Sequence, residues 1–129
     1  MNPEAEGTRY PPVEFVVDPE RVSAFRDLFR IDHGVPPTYL TAAEFAALPQ
    51  ILDDPSLGLD FTRVVHGSQA YEYRRPPREG ETLRIRARIE SIRHKGGTGF
   101  LTIAMDLVDR EDELVCAVRS QMLERGPQA

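Results

Sequence analysis

Cysteine is nearly absent. Cys116 stands alone in 129 residues, so no internal disulfide can form and a reducing cytosol is the expected compartment. Long hydrophobic runs are missing too; none approaches the ~18 apolar residues of a membrane-spanning helix. The opening Met1-Asn2-Pro3-Glu4-Ala5-Glu6 has no basic stretch and no apolar stretch behind it, so no signal peptide is expected. Positive charge is the minority sign. Sixteen Lys and Arg face twenty-one Asp and Glu, a net charge of −5, which argues against dominant binding to nucleic acid. There is no metal-ligand spacing, no phosphate-cradling glycine loop and no serine-centred elbow. What remains is 40% hydrophobic and 29% charged, the balance of one globular domain.

Residues 1–10 are polar and read as a flexible N-terminus, 11–125 as one domain, and 126–129 as a C-terminal tail. Val13-Glu14-Phe15-Val16-Val17 suits a strand. Asp18-Pro19-Glu20 then reads as a helix start: Asp18 caps, Pro19 loses nothing by lacking an N–H, and Glu20 favours the positive end of the dipole. Val22, Phe25, Leu28 and Phe29 continue that helix to Arg30. After the connection through Pro36-Pro37, an alanine-rich apolar stretch from Tyr39 predicts a second helix ending near Pro49 or shortly beyond. Its Ala42, Ala43, Ala46 and Ala47 are expected to let a sheet approach closely, with Phe45 and Leu48 filling wider gaps.

The remaining half reads as β structure. Arg63 to Arg74 is one strand. Leu83, Ile85, Ala87 and Ile89 alternate with Arg84, Arg86, Arg88 and Glu90, one buried face and one wet face. Ile92 follows Ile89 by three, which predicts a bulge near Glu90-Ser91. Leu101 to Leu107 and Leu114 to Met122 alternate likewise after tight turns, and strands joined this way pair antiparallel. The expected class is α+β: an antiparallel sheet of about five strands wrapped around a central alanine-rich helix.

The stretch from Gly58-Leu59-Asp60 through His66-Gly67-Ser68-Gln69, Tyr71 and Arg75-Pro76-Pro77 to Gly80-Glu81-Thr82-Leu83 resembles the MaoC-like dehydratase N-terminal domain family. Val35-Pro36-Pro37-Thr38-Tyr39 resembles the opening of that family's central helix. The resemblance covers about residue 10 to residue 125. It implies a hotdog fold and acyl thioesters, on coenzyme A or acyl carrier protein, as substrates, with no cofactor beyond that carrier. Relatives hydrate 2-enoyl thioesters or dehydrate 3-hydroxyacyl thioesters. A curved sheet with one helix leaves edge strands, so a dimer is expected, either with a second copy or with a catalytic MaoC-like subunit; neither a membrane nor a nucleic-acid partner is expected.

Catalytic relatives carry an Asp and a His four residues apart just before the central helix, where the two can hold one water between an acid and a base. Here only Ile31-Asp32-His33-Gly34-Val35 separates the first helix from Pro36, and that pair is missing. The expectation is therefore a degenerate, non-catalytic subunit that binds or shapes an acyl-thioester tunnel. The alternatives are an active hydratase or dehydratase using Asp32 and His33, and a non-enzymatic dimer that binds an acyl ligand or a protein. Asp32 and His33 are adjacent and point apart, which suits a turn better than a shared water. His66 is expected to be a hydrogen-bonded structural histidine rather than a catalytic one. Gly34 and Val35 remain as backbone donors toward a thioester, since Pro36 and Pro37 have no N–H; Thr38 and Tyr39 complete the candidate substrate-binding set. Arg84, Arg86 and Arg88 read as an exposed face, alternatively as a partner surface or a site for a coenzyme phosphate. Cys116 reads as core, and Gly67 as a bulge or a close approach to the helix.

Overall fold

The computed structural model describes residues 1–126. Most of the expected tail, residues 127–129, lies outside the described residues. Strand β1 (Val13–Val16) leads into helix α1 (Pro19–Phe29) and then helix α2 (Thr41–Leu52). Four strands follow: β2 (Val64–Tyr73), β3 (Thr82–Lys95), β4 (Thr98–Val108) and β5 (Leu114–Glu124). All pairings are antiparallel, in the order β1-β3-β4-β5-β2. The α+β arrangement expected from the alternation is the one observed.

Local chemistry accounts for the ends of α1. The Asp18 carboxylate accepts the Glu20 N–H at 3.0 Å, Pro19 occupies the first turn, and Arg30 closes the helix at φ 55°. Helix α2 has no side-chain cap and runs past Pro49 to Leu52. Its buried stripe is Ala43, Ala47, Leu48 and Ile51, packed against Leu83, Ile85, Ile89 and the inward residues of β4 and β5. Ala46 faces solvent, and Phe45 is 66% exposed instead of filling a gap in the core. A helix apolar on nearly every side leaves its rotation to the shape of the sheet, and the sheet takes the Ala43–Ala47 stripe.

Both strands with irregular periodicity carry bulges. The β3–β4 register shifts between Ile89 and Ser91, so Ile89 and Ile92 both point inward. The β2–β5 register shifts between His66 and Ser68, leaving Gly67 as the extra residue. The approach that requires a glycine there is to β5, not to the helix: a Cβ on Gly67 would lie 2.4 Å from Leu123 Cδ1 and 3.3 Å from the Gln121 carbonyl oxygen.

The first ten residues are not loose. Gly7 and Tyr10 donate backbone hydrogen bonds to the Ile89 and Ala87 carbonyls, and the Ile89 N–H donates to Thr8, each at 2.9 Å. This segment continues the line of β1 along β3. Side chains add to the attachment: the Tyr10 hydroxyl donates to Asp54 at 2.7 Å, the Asn2 amide to the Ser56 carbonyl at 3.1 Å, and Ala5 is buried in the core.

Cys116 is fully buried, and burial pushes its thiol up to about 11. The native thiol is expected to resist an aromatic disulfide reagent at pH 8 and to react at once in denaturant; equal rates in the two conditions would place it at the surface.

Candidate functional site

One apolar cavity of about 270 Å³ lies between α2 and the sheet. Thr41, Glu44, Phe45 and Leu48 reach it from α2, a spacing that puts them on one helix stripe. Val64, His66 and Gln69 reach it from β2, Ile103 and Met105 from β4, and Ser120 and Met122 from β5. His66 and Gln69 are three apart and would face opposite sides of a regular strand. The extra residue at Gly67 shifts the parity and turns both toward the cavity. Phe61 and Phe45, 57% and 66% exposed, form its rim.

The polar end lies at the first turns of α2. Glu44 is only 7% exposed. Its Oε1 accepts from Gln69 Nε2 at 2.6 Å and its Oε2 from the Tyr71 hydroxyl at 2.7 Å. The Thr41 hydroxyl is hydrogen-bonded to the same Tyr71 oxygen. Burial raises the Tyr71 hydroxyl above its ordinary value, so it stays protonated and donates. Burial also raises the Glu44 carboxyl, against the lowering by Tyr71, Gln69 and His66. His66 Nε2 and the Ser120 hydroxyl lie 3.1 Å apart, within hydrogen-bond distance, and the histidine is exposed and stands at the cavity mouth. The opposite end is apolar, with Leu48, Phe61, Val64 and Met122.

The raised Glu44 carboxyl has a measurable consequence. Above 4.5, the ordinary glutamate value, the folded chain holds more protons at this position than the unfolded chain. The contribution to stability is therefore highest below that pH and is lost as pH rises through the folded value. Urea unfolding from pH 4 to pH 7 is expected to show Glu44→Gln gaining on the parent as pH rises; a constant difference would contradict the raised value.

The other sequence candidates lie elsewhere. Asp32, His33 and Gly34 are exposed on the connection between the helices and do not line the cavity. Val35 lines a separate surface depression with Pro37, Tyr73 and Arg74. Thr38 is exposed, and Tyr39 is 3% exposed, its hydroxyl buried without a partner. Arg84 and Arg86 share Asp112, and Arg88 pairs with Asp106 at 3.2 Å, so each of the three arginines has a carboxylate partner within the chain. Among the described residues no group of three His, Cys, Asp or Glu side chains is placed to hold a metal, and no helix is long and apolar enough to cross a membrane. Glu44 escaped detection because a carboxylate in an apolar helix reads as its wet face. The signal was its place in the i, i+3, i+4, i+7 series Thr41, Glu44, Phe45, Leu48.

Comparison with known proteins adds the family frame. Residues 5–118 match the family described as FAS1-like, dehydratase domain region. A UPF0336 protein of Saccharopolyspora erythraea is 37% identical over 91 residues, covering 70% of this chain and 58% of the relative. One from Streptomyces avermitilis is 37% identical over 109 residues, covering 84% and 71%. The chain thus spans about three-fifths to seven-tenths of the length of these relatives. Among solved structures, the HadBC (3R-hydroxyacyl-ACP dehydratase) complex of Mycobacterium tuberculosis superposes with a TM-score of 0.78 at 20% identity, covering 95% of this chain and 99% of that one. The (R)-hydratase of A. caviae gives 0.67 at 14% identity, covering 95% and 96%. These likenesses establish the hotdog fold.

Proposed function

The chain belongs to the FAS1-like dehydratase domain family, and on that premise we propose that it is a non-catalytic subunit of an acyl-thioester hydratase or dehydratase. In this role it binds the acyl part of a substrate carried on coenzyme A or acyl carrier protein, and needs no cofactor of its own. The observation that carries the reading is an apolar cavity between α2 and the sheet in a chain whose only adjacent acid and histidine before α2, Asp32 and His33, are exposed and outside that cavity. Hydration needs an acid and a base within reach of one water. A partner subunit with an intact Asp and His supplies them.

The free edge of the sheet supports the pairing. β2 is an edge strand whose first half is largely exposed, and Val65, Phe45 and Phe61 present apolar surface beside it. An unpaired edge of this length invites a second strand across a two-fold axis. The solved complex named above, formed by dehydratase subunits, has the same fold.

Co-expression with a MaoC-like subunit that retains the Asp-x4-His pair tests the proposal. The two are expected to co-purify, and the complex to hydrate crotonyl-coenzyme A. A strictly monomeric chain at micromolar concentration that captures no such subunit would contradict it.

A further inference from the structure

We infer that Ser120 and His66 form a nucleophile–base pair on the cavity wall, and that the chain hydrolyses acyl thioesters there through an acyl-Ser120 intermediate. This rests on the reading of the cavity as an acyl-thioester site. The chemistry is hydrolysis, distinct from the hydration for which the chain lacks an acid and a base. A serine hydroxyl is a weak nucleophile until a base within hydrogen-bond reach takes its proton. Ser120 Oγ and His66 Nε2 are 3.1 Å apart, and both residues line the cavity. Ser120 is only 5% exposed and points inward from β5. His66 reaches it from the exposed mouth. The register explains the meeting: His66 is paired with Met122, two residues beyond Ser120 and on the same face, and the extra residue at Gly67 follows at once.

Two further groups complete the site. Gln69 stands directly opposite Ser120 in the β2–β5 register, which puts their Cβ atoms about 4.5–5.5 Å apart. Gln69 Nε2 gives one hydrogen to Glu44 Oε1 at 2.6 Å, and that bond holds the amide in place. The second hydrogen on the same nitrogen has no acceptor among the described residues, so it is available to an oxyanion. Glu44 also lies close enough for the charge of His66 to act on its carboxyl, and the converse stabilises the imidazolium formed when the ring takes the serine proton. Ser120 Oγ attacks the thioester carbonyl carbon as its proton passes to His66 Nε2, and the oxyanion accepts from Gln69. The carbon–sulfur bond breaks, the leaving thiolate takes the proton from His66, and the acyl group stays on Ser120 as an ester. Water then attacks that ester with His66 as base; the carboxylic acid leaves and the serine oxygen regains its proton. One thioester and one water thus give one acid and one thiol. Leu48, Val64 and Met122 form the apolar wall for the alkyl chain.

The test incubates the purified full chain with hexanoyl-coenzyme A, a saturated thioester with no double bond to hydrate, and follows released thiol with an aromatic disulfide reagent. Cys116 is buried and does not compete for the reagent. Thiol release is expected, and Ser120→Ala and His66→Ala are each expected to slow it at least about 10²-fold, the scale of losing a positioned base. A fluorophosphonate probe is expected to label Ser120 of the native parent and not of the urea-unfolded parent, a readout that needs no variant to fold. Native Ser120 that stays unlabelled overturns the inference, and so does thiol release that survives both substitutions. Calorimetric binding of hexanoyl-coenzyme A without thiol release overturns the hydrolytic role and leaves the acyl-thioester reading intact. Neither binding nor release overturns both.

Discussion

The purified chain alone is expected to hydrate no short 2-enoyl thioester at a measurable rate. Asp32→Asn and His33→Ala are expected to leave the activity of any complex containing it within about tenfold. A positioned acid or base contributes about 10²- to 10⁴-fold to such a reaction, so the loss of a working one is easily seen. Asp32 and His33 stand exposed on a connection that does not line the cavity, so neither is placed to move a proton to a substrate held there. The measurement is the disappearance of the crotonyl-coenzyme A enoyl absorbance, with and without a catalytic partner. Rapid turnover by the pure chain, abolished by either substitution, would establish the active-enzyme alternative. Turnover abolished only by His66→Ala would move the chemistry to the cavity mouth, where that ring meets Ser120.

The parts of this molecule that were legible from the residues are those where a local rule has no competitor. Asp18-Pro19-Glu20 starts a helix by capping chemistry alone, and the clean alternation from Leu83 to Ile89 followed by Ile92 marks both a half-buried strand and its bulge. The site was less legible because its members obey two rules at once. Glu44 is charged, which local rules assign to water, yet its stripe on α2 faces the cavity and its oxygens find Gln69 and Tyr71. Those partners come from a strand whose parity is reset at Gly67, so spacing alone does not show that His66 and Gln69 share a face. The backbone bonds of Thr8 and Tyr10 to β3 leave no trace in side-chain pattern at all.

The rotation of α2 is the sharpest case, and it makes the largest stability prediction. Ala46 and Ala47 are neighbours of identical chemistry, but Ala47 is fully buried against the sheet while Ala46 faces solvent. Ala47→Leu inserts three carbons into a close-packed layer and is expected to cost about 1–3 kcal/mol. Ala46→Leu adds the same atoms to water and is expected to stay within about 0.5 kcal/mol. Ile51, one turn beyond Ala47 and also fully buried, tests the same face by removal: Ile51→Ala is expected to cost about 2–5 kcal/mol through lost transfer energy and the cavity left behind. Urea unfolding of the three variants reads all of this at constant m-value. If Ala46→Leu were the costly alanine variant, α2 would be rotated by about a quarter of a turn. Glu44 would then leave the cavity with it, and its hydrogen bonds with Gln69 and Tyr71 would be lost along with the packing.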